Sequence, residues 1–326
     1  MKHLTLTTAV ALALAMPALA QDKPGEGVTI RPVASPIAEE LFQARILYKG
    51  LEELGYTIEP NQVEIQTAHL AVGTGDADFY SAHWELLHEA FFQESGGDDV
   101  LQRVGPFVEG MVQGYLVDKA SYDAGVKNLG DLKDAATAAK FDANGDGTAD
   151  LAGCVPGWGC ERVIEHHLTE YGLRDTVTHN QGEYNALMAD TIARFQNGQP
   201  ILYFTWTPYW VSGALVPGKD VEWLDVPYTS LPDGVEANTE FGGKNLGFAV
   251  DNMYILASDK FLADNPAAAK FLESVKIDIN DISAQNKLMA DGAASSEDID
   301  KHVADWIAAH QADFDGWVAA ARDAAK

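Results

Sequence analysis

Basic residues are scarce in this chain. Lys and Arg number 22 against 49 Asp and Glu, giving a formal net charge of −27. Nucleic acid and an anionic membrane surface carry the same sign of charge, so neither is expected as a partner. Catalytic signatures are missing as well: there is no G-x-S-x-G, H-E-x-x-H, P-loop or Rossmann fingerprint. The adjacent His166 and His167 point to different sides of a helix and make poor co-ligands. No internal repeat, low-complexity tract or basic patch interrupts the chain. Its apolar runs include Ala9–Met16, which is too short to span a bilayer. Together with Lys2, His3 and the small residues of Ala18-Leu19-Ala20, that run reads as an export signal over 1–20. The mature chain would then be soluble in an oxidising compartment.

Cysteine is nearly absent too, and its two occurrences mark the most informative stretch, Gly153-Cys154-Val155-Pro156-Gly157-Trp158-Gly159-Cys160-Glu161. The spacing is not C-x-x-C, which favours a structural staple in an oxidising compartment over a catalytic dithiol. After the turn, Val163, Ile164, His167, Leu168 and Tyr171 recur at helical spacing, and Gly172 stops the pattern. Trp158 therefore sits at a helix start, where the N–H groups of Gly159 and Cys160 lack intrahelical partners and suit an anion. An aromatic face beside an anion site fits a ligand that is cationic at one end and a carboxylate at the other. A tight turn around a buried tryptophan is the alternative.

Along the chain, Val28–Ile30, a helix from Ser35-Pro36 to Gly55, and Tyr56–Ile58 form a β-α-β start, so the class is α/β with parallel strands. A strand Phe79–Trp84 leads into a helix carrying His88, which places Trp84 and His88 toward one cleft. Asn128–Lys140 reads as a modest helix. Asp142, Asn144, Asp146 and Asp150 match half of a calcium loop, although its twelfth position is Gly153 instead of the usual glutamate. Ile201–Trp206 is a buried-type strand ending in the aromatic turn Thr207–Trp210. Pro266–Val275, Ile279–Met289 and the stretch from Ser296 onward are helical, with Trp306 and Trp317 as packing residues. Two apolar crossings, near 107–118 and 246–258, divide the chain into a first lobe (21–118 plus 249–326) and an inserted second lobe (119–248). That layout suits a hinged binding protein.

From about Gly27 onward the chain resembles the periplasmic glycine betaine/proline betaine-binding proteins of osmoprotectant ABC importers. Asp146–Cys160, Val177–Gln181, Tyr203–Trp210 and Asn280–Asp291 carry the resemblance. It implies a two-lobed, type II-like periplasmic binding protein, not an enzyme, that delivers a betaine to a membrane permease and its ATPase. A cage of Trp84, Trp158 and Trp206 would take the quaternary ammonium. His88 and the N–H groups of Gly159 and Cys160 would hold the carboxylate, beside a Cys154–Cys160 disulfide. No cofactor is required on this reading, structural calcium aside, and a monomer is expected.

Overall fold

The computed structural model describes residues 23–326. The expected export signal lies outside the described residues. The fold hangs on one strand, Leu101–Asp118, 18 residues long. Through its first part it pairs antiparallel with Asp251–Ser258, from Leu101 opposite Ser258 to Met111 opposite Asp251. Through its last part it pairs antiparallel with Leu202–Thr207, from Val112 opposite Thr207 to Val117 opposite Leu202. The change of partner falls between Met111 and Val112, so a single backbone belongs to two sheet regions.

On one side of that change, Asp251–Ser258 continues to Phe79–Trp84, Pro32–Ala34 and Asn61–Gln62. On the other, Leu202–Thr207 continues to Ala149–Ala152 and Val177–Asn180, while Val221–Trp223 pairs with the far end of the long strand. The β-α-β start is present: Thr29–Ile30 and Thr57–Ile58 pair in parallel around the helix Ala38–Glu53. That helix buries Phe42, Ile46, Leu47 and Leu51 as its apolar spacing requires. It also buries Glu39 and Glu40 in its first turn, against the polar pattern.

Two local readings need correction. Asn128–Lys140 is not one helix. It is a 3₁₀ turn Leu129–Lys133, a single turn Ala135–Ala138 and another 3₁₀ turn Ala139–Phe141. The side chains of Asn128 and Asp134 accept from Gly130 N–H and Thr137 N–H, so local caps capture the backbone and restart it at each turn. His88 is not inside its helix either. It occupies the N-cap of Glu89–Glu94, one turn beyond the end of the Trp84 strand. The C-terminal tail is two helices, Ser296–Ala309 and Gln311–Ala324. Trp306 is buried there, its indole N–H donating to Asp281 at 3.0 Å.

Candidate ligand-binding site

The first wall of the site grows from the turn after Phe79–Trp84. The His88 N–H bonds back to the Trp84 carbonyl at 3.0 Å, and the Trp84 N–H donates to His88 Nδ1 at 3.1 Å. This reciprocal pair locks ring and imidazole together. Because Nδ1 accepts, the proton of the neutral ring sits on Nε2, leaving that nitrogen as a donor. Burial holds the imidazole well below its usual pKa, so it acts as a neutral N–H donor. Asp251, at the start of the returning strand, fixes the turn from below. Its carboxylate accepts from the N–H groups of Leu86 (3.1 Å), Leu87 (2.9 Å) and Asn252 (2.8 Å). Burial pushes its pKa up to about 6 against the pull of those three bonds.

The second wall is built from rings. Trp158 is the N-cap of the helix Gly159–Glu170, and no side chain caps that helix. The first-turn N–H groups of Gly159 and Cys160 therefore keep their capacity to bind an acceptor. Cys154 and Cys160 are disulfide-bonded, closing the turn that presents Trp158. His179 braces the same turn: it accepts from Cys154 N–H at 2.9 Å and donates to Glu165 at 2.7 Å. Trp206, near the end of Leu202–Thr207, lies 6.1 Å from Trp158 between ring centroids. Behind it stand Tyr209 at 4.1 Å and Tyr184 at 4.8 Å.

The two walls meet. Trp84, His88, Trp158, Gly159, Cys160 and Trp206, drawn from distant parts of the chain, line one small cavity. Neither Lys nor Arg lines it. At Gly159 a Cβ would lie 2.7 Å from the Leu87 carbonyl oxygen and 3.3 Å from the His88 ring, so only glycine lets the helix start approach the first wall this closely. The indole N–H of Trp158 is buried without an acceptor, an open donor beside the helix start. A larger cavity of about 330 Å³ adjoins at Leu87, Gln113 and Gly159, with an Arg162–Asp233 ion pair of 2.6 Å at its rim. Five lining residues escaped the sequence reading: Ile37, Glu40, Ile65, Leu87 and Gln113. Glu40 had one signal, a glutamate in a helical turn otherwise destined for the core.

Two groups carry side chains of the kind that ligate metals. His69, His83 and His88 bring ring nitrogens within 4.8 Å of one another. Each neutral imidazole has one lone pair, and all three are taken. His69 Nδ1 donates to Ile65 O, so its Nε2 accepts from His83; His83 Nε2 accepts from Arg103; His88 Nδ1 accepts from Trp84 N–H. An ion would have to break these bonds, so the trio does not fit a metal. In the Asp142–Asp150 loop the carboxylates serve the loop itself. Asp142 takes Gly145 and Gly147 N–H, Asp146 takes Thr148, and Asp150 takes Ala143 N–H and the Asn180 amide.

A family model described as the substrate binding domain of ABC-type glycine betaine transport systems matches residues 28–309. A glycine betaine-binding periplasmic protein of Dickeya dadantii (strain 3937) is 49% identical over 331 residues, covering 100% of this chain and 98% of its own. The glycine betaine/proline betaine-binding periplasmic protein of Escherichia coli (strain K12) is 48% identical over 322 residues, with 98% of each chain covered. The fold is shared with lactococcal OpuAC in its closed, glycine betaine-bound form, with a TM-score of 0.69 and 20% identity over 89% of this chain and 99% of that one. It is shared also with ProX of Borrelia burgdorferi, at TM-score 0.72 and 16% identity over 91% of this chain and 100% of that one. The chain is thus a two-lobed substrate-binding transport protein and not an enzyme, and it belongs to the family of substrate-binding domains of ABC-type glycine betaine transport systems.

Proposed function

We propose that this protein captures glycine betaine or a related betaine between its lobes and hands it to an ABC importer in the membrane. The observation that carries the reading is the cavity itself, which joins three indole rings to a helix start and a neutral histidine while admitting no basic side chain. A trimethylammonium head has no N–H, so hydrogen-bond acceptors cannot recognise it. Indole faces attract it by roughly 0.5–2 kcal/mol per ring. The carboxylate end would accept from the N–H groups of Gly159 and Cys160 and from His88 Nε2–H. The Trp158 indole N–H, buried without a partner on a lining residue, is a further free donor. Since the donors and rings come from both lobes, ligand binding favours the closed arrangement that a transporter can distinguish from the open one.

On this reading 21–118 with 249–326 forms one lobe and 119–248 the other. Motion would be absorbed where the long strand changes partner and in the irregular 246–250 segment. Cleavage near Ala20 would release a monomer into the periplasm. Calcium in the Asp142–Asp150 loop is a separate proposal, supported by the alternating oxygen side chains; binding there would need the loop to give up its internal bonds. Titration calorimetry of Trp84→Ala, Trp158→Ala and Trp206→Ala with glycine betaine tests the site. Loss of binding in each is expected, and wild-type affinity in all three would remove the basis of the reading.

A further inference from the structure

Glu40 is the one charged-residue side chain that the cavity chemistry above leaves unused. It lies in the first turn of Ala38–Glu53, lines the tryptophan cavity and is buried. Its carboxyl accepts from the Ser35 hydroxyl, and Trp84 lines the same cavity. Glu40 therefore shares a cavity wall with the cage rings. The ionisable groups around it are few: Glu39 on the same helix, the Tyr80 phenol on the neighbouring strand, and His88 across the cavity, which burial keeps neutral. No cation is among them. Burial pushes Glu40 up to about 8 and Glu39 up to about 7. In the empty site at neutral pH, Glu40 is therefore mostly protonated, as expected for a carboxyl without a counter-ion in a dry environment.

We propose that Glu40 is the counter-charge of the cage: a quaternary ammonium head seated among the indoles drives the Glu40 carboxyl to ionise, and its proton leaves to solvent. Nothing but a proton is exchanged, so binding and ionisation are linked one to one. The consequence is selectivity for charge over shape. The cage alone favours a cation only through the attraction of its indole faces, and Glu40 adds a full counter-charge to that preference. This inference rests on the cage reading above.

The test is calorimetry of the mature protein from pH 6 to pH 9.5, in buffers of differing ionisation enthalpy so that released protons are counted. Two probes are used: glycine betaine, and 3,3-dimethylbutanoate, its uncharged-head carbon isostere. Wild-type protein should release about one proton per betaine at pH 6–7 and none at pH 9.5. Its affinity should rise about tenfold per pH unit between 6 and 8. The isostere should release none. Glu40→Gln keeps an acceptor for Ser35; it should bind betaine more weakly, with no proton release and a flat pH profile. No release from wild type, or release unchanged in Glu40→Gln, overturns the proposal. Should Glu40→Gln not fold, the contrast between betaine and isostere in wild type decides the matter. Trp158→Ala separates the two readings. Loss of betaine binding there alongside absent proton release removes Glu40 alone, whereas normal binding there removes the cage itself.

Discussion

The two walls of the cavity do the same job with different materials. The first is wired by hydrogen bonds: Trp84 and His88 hold each other, Asp251 holds their turn, and Ser35 holds Glu40. Among the described residues, Trp84 has no aromatic neighbour in ring contact. The second wall is packed. Trp206 lies against Tyr209 and Tyr184, Trp158 stacks on Tyr184 at 6.2 Å, and a disulfide closes the turn behind them. A wired wall is sensitive to protonation, while a packed wall is sensitive to volume. Each can therefore be broken by an insult that the other tolerates.

The largest effect is expected from Trp206→Ala. Removing a ring backed by Tyr209 and Tyr184 leaves a cavity, costing roughly 3–5 kcal/mol of fold stability in addition to ligand affinity. Trp84→Ala should cost clearly less stability while abolishing binding equally, and thermal melts without ligand read the difference. Equal destabilisation would erase the distinction between the walls. Next comes the disulfide. Cys154→Ser with Cys160→Ser should lose roughly 2–3 kcal/mol by the chain-entropy estimate for so short a loop. It should also weaken betaine binding, because the Trp158 turn and the Gly159 and Cys160 amides lose their clamp. Affinity untouched by reduction would detach the bond from the site.

Protonation acts on the wired wall, and its two components have opposite signs. Glu40 has a folded pKa of about 8 against 4.5 in the unfolded chain, so its contribution is fullest at low pH and is lost as pH rises toward 8. His69 is held down to about 4 from 6.5, so its contribution is present above 6.5 and lost as pH falls toward 4. Unliganded stability should therefore pass through a maximum at intermediate pH. The alkaline decline between about 6.5 and 8 should be on the order of 1–2 kcal/mol and should flatten in Glu40→Gln. Chemical unfolding across pH measures both limbs. The smallest effect on binding is expected from Trp306→Phe. Its loss of the Asp281 hydrogen bond should cost about 1 kcal/mol of stability and leave betaine affinity unchanged.

Much of the site was legible because its chemistry is local. A tryptophan after a Pro-Gly turn at a helix start, or one ending a strand, declares its position through turn and cap residues. The Cys154–Cys160 pairing is equally short in sequence. Asn128–Lys140 was misread because helical spacing there is outcompeted by the side-chain caps of Asn128 and Asp134. Asp251 and Gln113 went unnoticed because each is one polar residue among several in its strand. Its purpose depends on a partner far away in sequence, such as Leu87, 164 residues from Asp251.

By itself, then, the sequence determined the α/β class and the ring-bearing turns, and its net charge made anionic macromolecules unexpected as partners. Periodicity, turn chemistry and net charge are properties of neighbours or of sums, and they survive without coordinates. Tertiary structure alone decided that one strand serves both lobes with its change of partner at Met111–Val112, and that Gly159 is the point of closest approach. It also decided that Glu40 faces the cage instead of solvent. Burial and proximity across the chain set the charge state of a carboxyl, and no pattern within one helix carries that information.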